Sequence, residues 1–193
     1  SAQTWRGTLG KSRVAVNVSA SQLQREGFIG QVHSALDSSG LSPERLELEI
    51  TEESLLDDRE VAIRTLLALR EIGVRVVMDD FGTGYSSMDY LRRYPVNAIK
   101  LDPSFVRNID TSRRDATIAQ SLIDLSHHLG LEVVGEGIEN VAQLSQLRAF
   151  GCDIGQGYLL GRPSAQLPPG SDERSPPAQT EDPFDEFDDD DNG

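Results

Sequence analysis

The sequence predicts an α/β fold in which parallel strands and helices alternate around a barrel. Three observations lead there. Short runs rich in Val, Ile and Leu recur every 20 to 35 residues, as buried parallel strands do, with helix-like segments between them. A glycine closes each of four helix-like segments, where the left-handed stop of a helix favours a residue without a Cβ. Polar residues end or interrupt the six strand-like runs: Asn17, Glu49, the pair Asp79-Asp80, Lys100, Glu136 and Gln156.

The elements follow in order. Strands are expected at Val14–Val18, Leu46–Ile50, Val74–Met78, Ala98–Leu101, Glu132–Val134 and around Ile154–Leu159, the last region including Cys152. One helical face is marked by Phe28, Ile29, Val32 and Leu36 and closed by Gly40; a second by Ile63, Leu66, Leu67 and Arg70, closed by Gly73. Ile118, Leu122, Leu125 and Leu129 mark a third, closed by Gly130, and Val141, Leu144, Leu147 and Phe150 a fourth, closed by Gly151. Strand alternating with helix implies parallel pairing through right-handed crossovers. A doubly wound open sheet shares that alternation, but it gathers its ligand groups at one switch point, often behind a glycine-rich loop after the first strand. Here the polar groups recur on all six strands. A closed eight-stranded barrel takes roughly 250 residues, so a (β/α)8 barrel lacking its first strands is expected over residues 1–164. The opening segment, SAQTWRGTLGKS, reads as the end of a helix and a loop, with further chain expected upstream.

Composition sets bounds. Residues 165–193 hold ten acidic side chains against Arg174, so this stretch carries −9 of the net −14 and leaves −5 on the rest. Six of the nine prolines lie in residues 163–193, and high charge with little to bury predicts a disordered tail. The single Cys152 excludes an internal disulfide and fits a reducing cytoplasm. No apolar stretch approaches the 18 or so residues of a membrane span.

The polar residues at the strand ends are the candidates for chemistry, because a barrel puts its active site on that rim. Read singly, each has a structural alternative. Asn17 reads as a turn residue, and Glu47 and Glu49 as solvated on one strand face. Asp79-Asp80 and Glu52 read as helix caps, and Lys100 as a partner of Asp102. Gly135 and Gly137 frame Glu136, and Gln156 sits between glycines as an amide that would need partners if buried. Together, one amide, several carboxylates and one ammonium describe a divalent-metal site for a phosphorylated ligand. His33, His127 and His128 fall on helices away from the rim, against a zinc hydrolase or a Ser-His-Asp enzyme. Oxygen ligands favour Mg²⁺, Mn²⁺ or Ca²⁺. Gly82 and Gly84 predict a bendable loop after Asp80.

The strings NVSASQL (17–23), ELEITEES (47–54), DDFGTGYSS (79–87), IKLD (99–102), VVGEGIEN (133–140) and GCDIGQGYLLGRP (151–163) closely resemble the EAL-domain family of cyclic-di-GMP phosphodiesterases. That resemblance implies a TIM-like (β/α)8 barrel of the EAL type that hydrolyses cyclic di-GMP to linear pGpG with two Mg²⁺ or Mn²⁺ ions. It assigns Asn17, Glu49, Asp79, Asp80 and Glu136 as metal ligands, Glu136 also as a base. Lys100 is assigned to the attacking water or the phosphate, Gln156 to the ligand, and Glu52 to steadying the loop after Asp80. It further implies a bacterial signalling protein, a homodimer, and an upstream sensory or diguanylate-cyclase-like domain, with no nucleic-acid polymer as partner. No Glu-Ala-Leu tripeptide occurs in the chain. The family's corresponding glutamate and two strands are therefore expected before residue 1, and a cyclic-di-GMP-binding or protein-interaction module without turnover is the second reading.

Overall fold

Six strands, β1 (Val14–Asn17), β2 (Leu46–Thr51), β3 (Arg75–Phe81), β4 (Ala98–Leu101), β5 (Glu132–Gly135) and β6 (Ile154–Gly155), form one sheet in the order of the sequence. All five pairings are parallel. The computed structural model describes residues 12–55, 58–82, 91 and 93–163. The expected tail, the opening segment through residue 11 and, over residues 83–90, most of the loop expected after Asp80 lie outside the described residues. A doubly wound sheet reverses its strand order at the switch point. This one runs in a single direction, as a barrel wall does.

The sheet is also curled. The Arg13 guanidinium, just before β1, lies 3.1 Å from the Glu132 carboxylate of β5. Strands four places apart stand roughly 19 Å apart in a flat sheet, at about 4.8 Å per step. Only a wall bent toward itself brings those side chains together. Residues alternating along each strand then divide between its two faces. Leu48, Ile50, Val76, Met78, Ile99, Leu101 and Val133 face outward and join one buried cluster with the helices. Those helices include α2 (Phe28–Ser39) and α3 (Arg59–Ile72), which contribute Val32, Leu36, Leu66 and Leu69 to the cluster. The short helices α1 (Ala20–Leu23) and α4 (Pro103–Val106) follow β1 and β4; α5 (Arg113–His128) and α6 (Val141–Ala149) flank β5 in sequence. Each fully buried Leu or Ile contributes about 1.5–3 kcal/mol.

Helix ends follow the local chemistry. Asp58 accepts from the Val61 amide at 3.1 Å to open α3, and Ser112 accepts from the Asp115 amide at 3.3 Å to open α5. Gly40 and Gly73 close α2 and α3 with φ of 63° and 91°, the left-handed stop expected of them.

Three expectations shift. The sixth strand is only Ile154–Gly155, and Cys152 precedes it. Beyond Gln156 the chain turns onto the β5–α6 loop, where the Leu159 amide donates to the Ile138 carbonyl at 3.0 Å. The buried stripe of α5 is Ala119, Ile123 and Ser126, not Ile118 and Leu129, which are 38% and 40% exposed. Small Ala119 and Ser126 allow close packing, and the Ser126 hydroxyl is satisfied within the helix by the Leu122 carbonyl at 2.7 Å. Leu67 and Val141, counted on core faces by their spacing, are exposed.

The N-terminal ends of the strands carry a polar layer. Glu47 accepts from Arg13 and from Arg75, both at 3.4 Å, and Arg75 also pairs with Glu132. Asn97 ties three strands: its Oδ1 accepts from the buried Val76 amide at 2.8 Å, its amide donates to the Val76 carbonyl, and its carbonyl accepts from the Glu132 amide. Outside this layer, Asp153 accepts from the Val133 amide and pairs with His127 Nε2, both at 2.8 Å. Partial burial works to raise the Asp153 carboxyl, but the hydrogen bonds from His127 and Val133 outweigh it and hold the group below its ordinary range.

Two outcomes follow for stability. Asn97→Ala strands the buried Val76 amide and is expected to cost about 1–3 kcal/mol in denaturant unfolding; a loss under 0.5 kcal/mol, roughly the scatter of surface changes, counts against the clamp. A depressed carboxyl stabilises the fold above its unfolded pKa of about 4, and this is lost as pH falls through the lower folded value. The thermal-midpoint advantage of the wild type over Asp153→Asn is therefore expected to shrink below about pH 4. A gap constant from pH 7 into that acid range would show that the charge contributes nothing.

Candidate metal centre

Lys100 stands at the middle of the inner wall, third of the four residues of β4, with Ile99 and Leu101 turned to the outer core. Its side chain is 8% exposed, and its Nζ lies 2.8 Å from Glu136 Oε1, 3.0 Å from Asp79 Oδ1 and 3.2 Å from Glu49 Oε1. Three carboxylates from three different strand regions meet one ammonium. The structural alternative for Lys100, a pair with Asp102, is not what forms. Asp102 instead caps α4, accepting from the Ser104 amide at 2.8 Å. Burial alone would lower the Lys100 pKa, but hydrogen bonds to Glu136 and Asp79 outweigh it and raise the pKa, so the amine stays protonated. Burial pushes the Glu136 carboxyl up; Lys100 pulls it down, while Asp79 and Glu49 add to the rise.

Asp79 and Asp80 are consecutive, so an ordinary strand would send them to opposite faces. Here β3 holds one extra residue relative to β4: Met78 pairs with Ile99 and Phe81 with Leu101. The resulting bulge falls on the two aspartates, and Asp80 takes φ of 53°. Left-handed backbone is tolerated by Asp better than by most residues. One oxygen from each of Asp79, Asp80 and Glu136 then lies within 4.8 Å of the others. Burial, with Asp79 and Asp102 nearby, raises the Asp80 carboxyl. A hard divalent cation binds oxygens at about 2.0–2.6 Å and so spans ligand atoms up to roughly twice that distance apart. The donor set, all oxygen, fits Mg²⁺, Mn²⁺ or Ca²⁺ and not a soft metal.

The remaining expected residues sit around this centre. Asn17 is the register partner of Glu49 across β1 and β2, exposed on the edge strand. Glu52 is buried at the start of a 3₁₀ turn, Glu52–Leu55, that follows β2 directly. Gln156 follows β6 with its side chain exposed, while its backbone is hydrogen-bonded on both sides. The Gln156 amide donates to the Gly135 carbonyl at 2.8 Å and its carbonyl accepts from Ile138 at 3.1 Å. Sequence reasoning did not find the bulge, the Arg13–Glu47–Arg75–Glu132 layer or the buried Gln143. The layer had a signal, since Arg13, Arg75 and Glu132 each stand four residues before Asn17, Asp79 and Glu136, hence on the same strand face.

A family model described as the EAL domain matches residues 1–163. The chain belongs to the EAL-domain family. The cyclic di-GMP phosphodiesterase NbdA of Pseudomonas aeruginosa is 48% identical over 151 residues, covering 78% of this chain and 19% of that protein. Among solved structures, the MucR phosphodiesterase of the same species in complex with c-di-GMP superposes with TM-score 0.73 at 40% identity, covering 78% of this chain and 61% of that one. The BlrP1 complex of Klebsiella pneumoniae with manganese and cy-diGMP gives 0.73 at 32% identity, covering 78% and 39%. The chain thus spans about a fifth of the length of the curated relative and about three fifths of the MucR chain. These matches establish the TIM-like EAL fold, of which six parallel strands are described here. Among the described residues, no helix is long and apolar enough to cross a membrane.

In this EAL rim, Lys100→Met removes the cation from three part-buried carboxylates. It is expected to destabilise the metal-free chain by about 3–5 kcal/mol, with millimolar Mn²⁺ restoring part of the loss. An unchanged unfolding midpoint in chelator would refute the central role of the ammonium.

Proposed function

We propose that this chain carries the catalytic rim of a metal-dependent phosphodiesterase that hydrolyses cyclic di-GMP to linear pGpG. The observation that carries the proposal is the grouping of Asp79, Asp80 and Glu136 oxygens at the strand ends, with Lys100 buried among them. Asn17, Glu49, Asp79, Asp80 and Glu136 are the residues that would hold two Mg²⁺ or Mn²⁺ ions. Such ions supply Lewis acidity to a phosphoryl oxygen and activate water, and they offset the negative charge of the rim.

The chain's own groups then divide the work. Four carboxylates against one ammonium leave the cluster formally at −3, which repels a phosphodiester until cations are bound. Lys100 presents a fixed positive donor to the attacking water or a phosphate oxygen. Glu136, whose carboxyl burial pushes up, is suited to take the proton of that water. Gln156 offers an exposed amide to the ligand, and Glu52 lies directly after β2 to steady the loop beyond Asp80. A rim that draws Glu49, Asp79, Asp80, Lys100 and Glu136 together lends no support to a module without turnover. A cytoplasmic setting, a homodimer and an upstream sensory or diguanylate-cyclase-like domain complete the proposal. The MucR relative is named as a bifunctional diguanylate cyclase and phosphodiesterase.

Chromatography of cyclic di-GMP incubated with the chain and Mn²⁺ tests this directly. pGpG is expected from the wild type, with Glu136→Gln slower by about 10² or more. Equal product from both, or none from the wild type, overturns the proposal for this chain.

A further inference from the structure

We propose that Gln143 is a positioning residue that locks the Glu136 loop to the turn following Lys100, and so sets the geometry of the metal-binding rim. This inference rests on the metal-site reading above. Gln143 is 3% exposed although it stands in the first turn of α6, where a polar side chain would ordinarily meet solvent. Every polar atom of its side chain is used. Its Oε1 accepts from the Glu139 amide at 2.8 Å and the Asn140 amide at 3.2 Å. Its Nε2 donates to the Arg107 carbonyl at 3.0 Å.

The bond from the Asn140 amide belongs to a capping box, completed by Asn140 Oδ1 accepting from the Gln143 amide at 2.9 Å, and the bond from the Glu139 amide extends it by one residue. The third does not. Arg107 ends the turn of α4, which begins just after Asp102 and thus three residues beyond Lys100. Glu139 and Asn140 end the loop that Glu136 begins. One amide therefore bridges the chain leaving β4 and the chain leaving β5, the two strands that supply Lys100 and Glu136. The loop has little other freedom. A Cβ on Gly137 would come within 2.7 Å of Pro103 Cβ, so the loop already lies against the start of α4. A shift at Arg107 or Gln143 would pass to Glu136 through a few residues of close-packed backbone.

A capping box needs only the acceptor, and Glu serves it as well as Gln. Glu cannot donate to the Arg107 carbonyl. Gln143→Glu therefore cuts the bridge while keeping the cap, whereas Asn140→Ala removes the cap oxygen and leaves the bridge. Three readouts on the 193-residue chain separate the two roles: Mn²⁺ binding by the paramagnetic resonance of free Mn²⁺, amide hydrogen exchange over residues 136–139, and the thermal midpoint. For Gln143→Glu we expect Mn²⁺ to bind about tenfold more weakly and exchange over 136–139 to quicken. The added carboxylate would by itself attract Mn²⁺, so weaker binding cannot come from its charge. For Asn140→Ala we expect a lower thermal midpoint with Mn²⁺ affinity and loop exchange unchanged. Exchange in Gln143→Glu equal to the wild type, faster exchange without weaker Mn²⁺ binding, or equal effects from Asn140→Ala would each overturn the inference. A wild type that binds no Mn²⁺ refutes the metal reading instead. The exchange comparison then decides alone whether Gln143 holds the loop.

Discussion

The rim depends on a single ammonium. Lys100 bonds carboxylates from β2, from β3 and from the end of β5, and no other cation among the described residues is paired with any of the three. Two like charges about 4 Å apart repel by roughly 4 kcal/mol at an effective dielectric near 20. The strands could not be curled to bring Glu49, Asp79 and Glu136 together without something positive between them. The same arrangement prepares the site for divalent ions, since carboxylates already gathered around one charge need little rearrangement to accept another. Its negative excess is what makes a cation with two charges welcome.

The inner wall thus holds two charged layers with different balances. At the strand N-termini, Arg13 and Arg75 face Glu47 and Glu132, and the formal charges cancel. At the strand C-termini they do not. A layer that cancels can be satisfied by folding alone, so its contribution is to the wall itself. The layer with a deficit remains reactive toward whatever cation and anion arrive, as barrel architecture leads one to expect of that end.

Much of this was legible in the sequence. Strand order followed from the regular return of apolar runs, and the rim residues from their place at the ends of those runs. Four helix stops were marked by glycine. What the sequence hid was hidden for identifiable reasons. The α5 stripe was misplaced because spacing alone weighs Ile118 and Leu129 above Ala119 and Ser126, while close packing rewards the smaller pair. The burial of Gln156 was left open by its glycine neighbours, which let the backbone approach Ile138 while the side chain stays exposed. Asp102 was the structural alternative for Lys100 because it is near in sequence, but on a strand the nearest charges in space come from adjacent strands. Asn140 and Gln143 carry the spacing of a capping box, but nothing in the sequence marks the burial of Gln143 or its bond to Arg107, since a glutamine at a helix start is ordinarily solvated.

The bulge in β3 means that the chemistry of this wall is stored partly as a count. One more residue between Met78 and Phe81 than between Ile99 and Leu101 sets where both aspartates point. Shortening that stretch by one would leave every apolar pairing of the wall available and remove a ligand from the cluster. Substitution is therefore not the only way such a chain can lose its candidate metal-binding cluster. An alignment scored residue by residue would rate the shortened chain nearly identical, although its carboxylate cluster had come apart. Length at this one point is a character that inheritance can change independently of the fold.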